Sequence, residues 1–327
     1  MEGSGFHVPG RRSMTAVVLG GSGFLGSHLC DALLARGQDV IAVDDLSTGR
    51  LQNIEHLPGN KSFKFIQADI SIGLPDLGTP ELILNFASPA SPPAYLSMPI
   101  HTMRTGSLGT MHALELASKA NARFIMASTS EIYGDPLEHP QTESYWGNVN
   151  PVGVRSCYDE AKRFAESLTF AYQRERGTNT GIVRIFNTYG PRLDPTDGRV
   201  VSNFIMAALH NQPLNIYGDG SQTRSLCYVS DLVDGILRMA DSKIAGPINL
   251  GNPNEMTVLQ LAQRIIDLTR SQSTINFQSS LPDDPQQRNP DITLAKSKLD
   301  WFPHTDLDTG LQSTVQWMTT MEQNNDK

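Results

Sequence analysis

Short apolar runs alternate with amphipathic stretches along the first two-thirds of this 327-residue chain. Such alternation is typical of strand, helix, strand units that assemble into a parallel sheet. The apolar spacing predicts strands at residues 16–19, 40–43, 63–66, 82–86, 123–127 and 181–185, with helices at residues 24–35, 100–119 and 158–174. We therefore expect an α/β fold built on a Rossmann-type doubly wound parallel sheet.

After Gly190 the predicted elements become shorter and are separated by turn residues. The pattern predicts helices at residues 203–210, 232–240, 258–268 and 307–318 and a strand at residues 247–250. We expect a first domain at residues 14–190, to which residues 226–252 return, and a smaller α/β substrate domain at residues 191–225 and 253–327. The glycine-rich residues 1–13 are expected to be a disordered extension or an expression remnant.

The charge balance narrows the classes of partner. Lys and Arg number 26 against 34 Asp and Glu, a formal net charge of −8, which disfavours nucleic acid and anionic membranes as partners. No apolar run approaches the roughly 20 residues of a membrane span. Cys30, Cys157 and Cys227 form neither a disulfide framework nor a metal-ligand pattern. These features predict a cytoplasmic protein without a metal site.

A glycine-rich turn follows the first predicted strand. The run Gly20-Gly-Ser-Gly23-Phe-Leu-Gly26 leads directly into a predicted helix. Glycines at this spacing let the backbone approach a pyrophosphate, which the amides at the start of the helix then bind. Asp44 and Asp45 close the second strand, where a carboxylate can bond the adenosine ribose. The motif predicts a dinucleotide site.

The same acidic pair favours NAD, because a carboxylate there would repel the extra phosphate of NADP. The alternative is that Arg50 binds that phosphate. Asp69 and Ile70 follow the third predicted strand, where the adenine would lie, although a plain turn at the strand end explains them nearly as well.

A second motif carries the predicted chemistry. Tyr158 and Lys162 are four residues apart and therefore share one face of a predicted helix. A lysine beside a tyrosine lowers the pKa of the phenol, which can then accept a proton from a sugar alcohol during oxidation by NAD. Thr129, after the fifth strand, can bond the same alcohol. Together with the glycine turn, this spacing predicts an oxidoreductase-type site.

With these motifs the chain resembles the extended short-chain dehydrogenase/reductases, and within them the UDP-glucuronate decarboxylases, also called UDP-xylose synthases. The resemblance runs from about Thr15 to the C-terminal helix. It rests on residues 87–93 (ASPASPP), 127–136 (ASTSEIYGDP), 145–151 (YWGNVNP), 157–160 (CYDE), 184–192 (RIFNTYGPR), 197–204 (DGRVVSNF), 222–224 (QTR) and 283–291 (DDPQQRNPD).

The resemblance implies a reaction sequence. NAD oxidises the 4-hydroxyl of UDP-glucuronate with Tyr158 as base, and the new ketone is β to the carboxylate. Carbon dioxide then leaves with its electrons delocalised into an enolate, and protonation and reduction give UDP-xylose. Glu131 would position the sugar or move protons, and Arg288 would face the carboxylate. The resemblance also implies a homodimer, in which the predicted helices at residues 100–119 and 158–174 form a four-helix bundle.

The expected site falls into three groups. The catalytic group is Thr129, Glu131, Tyr158, Lys162 and Arg288. The cofactor group is Gly20, Gly23, Phe24, Leu25, Gly26, Asp44, Asp45, Thr48, Gly49, Asp69, Ile70, Phe86, Ser88, Thr105, Tyr158, Lys162, Thr188 and Arg199. The substrate group is Arg104, Ser130, Glu131, Asn187, Tyr217, Arg224 and Arg288.

Two other functions remain open from the sequence. One is a nucleotide-sugar 4-epimerase or 4,6-dehydratase of the same superfamily. Ser130 stands where the dehydratases carry an aspartate, and a hydroxyl is too weak an acid to replace it. The epimerases usually lack counterparts of Glu131 and Arg288. The other is a non-catalytic redox sensor, which the joint presence of Thr129, Tyr158 and Lys162 disfavours.

Overall fold

The computed structural model describes residues 14–279 and 287–325. The predicted extension at residues 1–13 and residues 283–286 of the last sequence block lie outside the described residues. The helices of the described part are α1 (Phe24–Ala35), α2 (Pro92–Ser97), α3 (Pro99–Arg104), α4 (Thr110–Ala120), α5 (Ser156–Arg176), α6 (Val200–Leu209), α7 (Val229–Asp241), α8 (Val258–Thr269), α9 (Thr293–Leu299) and α10 (Leu307–Asn325).

The strands of the same part are β1 (Thr15–Leu19), β2 (Asp39–Asp44), β3 (Phe63–Gln67), β4 (Leu82–Asn85), β5 (Arg123–Thr129), β6 (Thr180–Ile185), β7 (Thr188–Tyr189), β8 (Leu214–Tyr217), β9 (Thr223–Ser225), β10 (Cys227–Tyr228), β11 (Ile248–Leu250), β12 (Glu255–Thr257) and β13 (Ile275–Gln278). Seven of them form one sheet in the order β11-β6-β5-β4-β1-β2-β3, and every pair in it is parallel. The predicted doubly wound fold is therefore confirmed.

Both faces of this sheet are buried, as the alternation of side chains along β1 shows. Val18 belongs to the apolar cluster under α1 and α7, whereas its neighbour Val17 belongs to the cluster under α4 and α5. Helices therefore cover both faces, as a parallel sheet requires. A third apolar cluster, which includes Ile205, Ile216 and Leu261, forms the core of the C-terminal part.

The predicted helix at residues 100–119 is interrupted. It consists of α3, a π-helical turn at Thr105–Gly109, and α4. A Cβ on Gly106 would lie 2.8 Å from the Cβ of Ala161 on α5, and one on Gly109 would lie 2.8 Å from the Ile70 side chain. The two glycines that weaken the helix pattern thus allow close packing against α5 and the loop after β3. The sequence pattern did not predict α2 and α9.

The chain crosses between its two parts more than once. β11 pairs with β6 at the edge of the large sheet, as the predicted return of residues 226–252 requires. Trp301, from the predicted substrate segment, packs in the cluster under α7 and donates its indole N–H to the carbonyl of Asp231 at 2.8 Å. The division into two domains stays a prediction. None of the helices in the described ranges is both long and apolar enough to cross a membrane.

Candidate active site

The carboxyl ends of β1, β4, β5 and β6 open into a cavity of about 730 Å³. Its opposite wall comes from the C-terminal part, through side chains such as Phe204, Tyr217 and Arg224. The strand order reverses between β1 and β4, and open α/β sheets bind ligands in the crevice at such a reversal. A smaller cavity of about 50 Å³ adjoins the large one and shares part of its lining.

The glycine-rich turn is held by contacts that admit no side chain. Gly20 has a φ of +79°, and a Cβ on Gly26 would lie 1.9 Å from the carbonyl oxygen of Gly20. Gly23 precedes α1 and offers no side-chain cap, so the first amides of the helix remain available to an anion. This cradle fits the pyrophosphate of a dinucleotide.

The smaller cavity lies at the expected adenosine end. Asp44 accepts hydrogen bonds from the amides of Ser22 and Leu46 at 3.0 and 2.9 Å, and burial raises the pKa of its carboxyl. Asp45 pairs with His101 at 3.0 Å, and ligand atoms of these two side chains and Asp69 lie within 4.8 Å of one another. Asp44 and Asp45, expected at the ribose, and Asp69, expected at the adenine, therefore all line the smaller cavity.

Arg50 does not line the smaller cavity at the expected adenosine end. It lines the large cavity and not the small one, and its guanidinium pairs with Asp194 at 2.5 Å. The alternative in which Arg50 binds the extra phosphate of NADP thus finds no support in this geometry, because the arginine is engaged with a carboxylate on the opposite wall.

The structure gathers nearly all the predicted site residues. Each predicted cofactor residue lines one of the two cavities, and so does each predicted substrate residue except Arg104. Arg104 is exposed at the last turn of α3, directly before the π-helical turn. The structure therefore does not bring this side chain into the cavity with the other predicted substrate residues.

Tyr158 and Lys162 lie on the buried face of α5 beneath the end of β5. The Lys162 ammonium donates to the carbonyl of Ala127 at 2.9 Å and lies 5.8 Å from the centre of the Tyr158 ring. Burial lowers the pKa of Lys162 to about 8. The phenol hydrogen-bonds to Thr129, and its ring stacks on Tyr95 with centroids 5.0 Å apart.

The pKa of Tyr158 differs from the sequence expectation. Burial raises it to about 12 and outweighs the lowering by the Thr129 hydrogen bond. The expected lowering by Lys162 does not dominate, because the lysine is held by a backbone carbonyl and not by the phenol oxygen. Burial rather than the lysine therefore sets the direction of the shift in this structure.

A charged cluster lies beside this pair. The Glu131 carboxylate accepts from Arg155 at 2.6 Å and from Arg288 at 3.2 Å. Burial raises the pKa of Glu131, but the two arginines outweigh burial and hold it below its ordinary value. Arg288 is itself 2 % exposed and also donates to the Ser130 hydroxyl at 3.2 Å. The cluster joins residues from three separate segments of the chain.

Sequence reasoning missed two members of this cluster. Arg155 is the residue before α5, and no spacing rule connects it with Glu131. Asp159, next to Tyr158, is buried, and its Oδ1 has no hydrogen-bond partner among residues 14–279 and 287–325. Burial, followed by the charge of Glu131, raises the pKa of Asp159 to about 7. Only the fold brings these groups together.

Comparison with known proteins places this site in a family. Residues 16–251 match the model of the NAD dependent epimerase/dehydratase family. The chain belongs to this family. The resemblance to the extended short-chain dehydrogenase/reductases is thereby confirmed, and NAD is the cofactor that the glycine cradle fits.

Relatives within the family narrow the comparison. UDP-glucuronic acid decarboxylase 2 of Arabidopsis thaliana is 50 % identical over 306 residues, which is 94 % of this chain and 68 % of the relative. Among solved structures, UDP-glucose 4-epimerase of Thermotoga maritima, with UDP-glucose, has a TM-score of 0.86 at 30 % identity, covering 94 % of this chain and 100 % of that one. The dTDP-glucose 4,6-dehydratase DesIV of Streptomyces venezuelae, with NAD bound, has a TM-score of 0.86 at 26 % identity, covering 94 % and 97 %.

Proposed function

We propose that this enzyme converts UDP-glucuronate to UDP-xylose by NAD-dependent decarboxylation through a 4-keto sugar. The observation that carries the proposal is the pair of arginines, Arg155 and Arg288, that share the Glu131 carboxylate beside Tyr158. Two guanidinium groups against one carboxylate leave positive charge beside the expected position of the sugar. A sugar acid is the nucleotide sugar that needs such a site.

Oxidation at C4 requires a group that removes the hydroxyl proton. When bound, NAD supplies the oxidation of C4 and its later reduction. Tyr158 is the base, and Thr129 holds the same hydroxyl from the end of β5. Burial raises the pKa of Tyr158 to about 12, so the phenol needs nearby positive charge to give up its proton. Arg199 supplies such a charge and lowers the pKa of Tyr158.

Decarboxylation then follows from the position of the ketone. The C4 carbonyl is β to the carboxylate, so the electrons released with carbon dioxide are delocalised onto the carbonyl oxygen. Arg155 and Arg288 hold the carboxylate in place, and Glu131 keeps both guanidinium groups oriented. Asn187 and Arg224 bind the diphosphate and Tyr217 lies near the uracil; all three side chains line the large cavity.

A 4-epimerase or 4,6-dehydratase is the second candidate, because solved epimerases and dehydratases share the fold. In this chain Ser130 receives a hydrogen bond from Arg288. A serine hydroxyl cannot protonate a leaving hydroxyl as the dehydratase acid does, and Arg155 and Arg288 would have no sugar carboxylate to bind in a neutral substrate. A 4-epimerase that acts on UDP-glucuronate would use the same two arginines, and carbon dioxide release distinguishes the decarboxylase from it. A non-catalytic redox sensor is disfavoured because the side chains of Thr129, Tyr158 and Lys162 all line the same cavity.

The decisive experiment incubates the enzyme with NAD and UDP-glucuronate and follows carbon dioxide release and the sugar product by NMR. We expect UDP-xylose from UDP-glucuronate and no turnover of UDP-glucose or dTDP-glucose. Arg155→Ala and Arg288→Ala should each reduce decarboxylation at least tenfold, while Arg176→Ala, which removes an exposed arginine far from the cavity, should leave it unchanged. Turnover of UDP-glucose without carbon dioxide release from UDP-glucuronate would overturn the proposal.

We also propose a homodimer in the cytoplasm, with α3, α4 and α5 at the interface. Ile100, Met103 and Phe164 on these helices are 75 %, 48 % and 50 % exposed, which is unusual for apolar side chains on neighbouring helices. Ile100→Lys should shift the molecular mass in analytical ultracentrifugation towards the monomer. Ile72→Lys, at an equally exposed position in the loop after β3, should not.

The buried free thiols Cys30, Cys157 and Cys227 support the cytoplasmic location.

A further inference from the structure

The loop that joins β7 to α6, residues 190–199, contacts three separate elements around the large cavity. Near its start, Arg192 pairs with Asp31 on α1 at 2.6 Å, and the Pro191 carbonyl contacts His28 at 2.9 Å. Towards its end, a Cβ on Gly198 would lie 2.6 Å from Pro93 of α2. The loop therefore extends from α1 to α2.

The middle of this loop is fixed by one ion pair. Arg50, in the loop after β2, pairs with Asp194 at 2.5 Å and reaches the Thr196 hydroxyl at 3.5 Å. Both Arg50 and Asp194 line the large cavity together with Gly20 and Gly23. The ion pair therefore connects two walls of the space in which a dinucleotide fits.

The arginine of this pair is anchored to the glycine-rich turn itself. The backbone amide of Arg50 donates to the carbonyl of Ser22 at 3.1 Å, and the Asn53 side chain donates to the same carbonyl at 2.9 Å. The side chain of Asp194 is also held in position, because its Oδ1 accepts a hydrogen bond from the amide of Thr196 at 2.7 Å. Its Oδ2 pairs with Arg50. Each partner is thus positioned by its own loop.

We propose that the Arg50–Asp194 ion pair is a clasp that closes the 190–199 loop over bound NAD and slows release of the cofactor. A chemical reason favours slow release: NAD that is reduced and reoxidised within one cycle need not leave, and its loss midway would leave the sugar oxidised. The inference concerns cofactor binding, which the family shares, and so stands or falls independently of the proposed substrate.

The test measures dissociation of radiolabelled NAD in a chase with excess unlabelled NAD. Because the pair is about one-third exposed, its loss should raise the dissociation rate about two- to fivefold. Arg50→Gln and Asp194→Asn should give the same increase, and the double variant should give no more than either single variant. High salt should accelerate release from the wild type more than from the double variant.

Asp194→Asn separates the clasp from a direct contact of Arg50 with the cofactor. If Arg50 acts on the phosphates by itself, removing its carboxylate partner frees it, and release becomes slower or stays unchanged, which overturns the proposal. Arg36→Gln and Asp241→Asn are the matched controls, since this exposed ion pair joins the residue after α1 to the end of α7 outside both cavities and should leave the rate unchanged. Thermal unfolding of each variant confirms that it is folded.

Discussion

The structure contains a buried ion pair beneath the site, and its burial allows the loss of stability on removing one partner to be predicted. Glu166 lies one turn after Lys162 on α5, and Arg184 lies on β6. The guanidinium binds both carboxylate oxygens, at 2.9 and 2.8 Å, and the two side chains are only 10 % and 11 % exposed. Ser128 on β5 donates to the same carboxylate at 2.5 Å. The pair therefore fixes α5 against the two strands that end at the site.

Arg184→Met leaves the Glu166 carboxylate buried, with Ser128 as its remaining partner in the described part of the chain. Removing one member of a buried pair costs about 3–5 kcal/mol of unfolding free energy, because the desolvated charge loses its compensation. Glu166→Met should cost a similar amount, whereas the double variant should cost much less than the sum, since no charge is then stranded.

Urea unfolding followed by circular dichroism measures these free energies. Arg264→Met is the control, because its ion pair with Asp308 is exposed and should contribute at most about 1 kcal/mol. The reasoning is refuted if Arg184→Met costs less than about 1 kcal/mol, or if the two single effects simply add in the double variant.

Three further outcomes are expected. Gly26→Ala should abolish NAD binding in calorimetry, because its Cβ would lie 1.9 Å from a backbone oxygen, whereas Gly59→Ala, with nothing within 4 Å, should retain it. Tyr158→Phe should bind NAD normally but release no carbon dioxide. Because the pKa of buried Asp159 is raised to about 7, the folded wild type binds an extra proton and loses stability as the pH rises from about 4 to 7. Urea unfolding at several pH values should show that the unfolding free energy of the wild type falls by up to about 4 kcal/mol more than that of Asp159→Asn over this range. The same pH dependence in both proteins would contradict the prediction.

Local pattern was sufficient for most of the framework. The helix at residues 24–35 was predicted with the bounds that the structure has, and each predicted strand of the large sheet is present within two residues at either end. The helix predicted at residues 100–119 is present, but it is not one regular α-helix. Gly106 and Gly109 interrupt the helix pattern, yet the chain stays helical there through a π turn because α5 and Ile70 press against it.

The sequence by itself determined the features that depend on near neighbours along the chain. The glycine turn, the acidic end of β2 and the spacing of Tyr158 and Lys162 are local, and short-range geometry alone places them at strand ends or on one helix face. The tertiary structure decided the charges and their partners. Arg155 pairs with Glu131, Arg50 pairs with Asp194, and burial raises the pKa of Tyr158. The sequence could not predict these features, because they depend on burial and on contacts between segments that are distant along the chain.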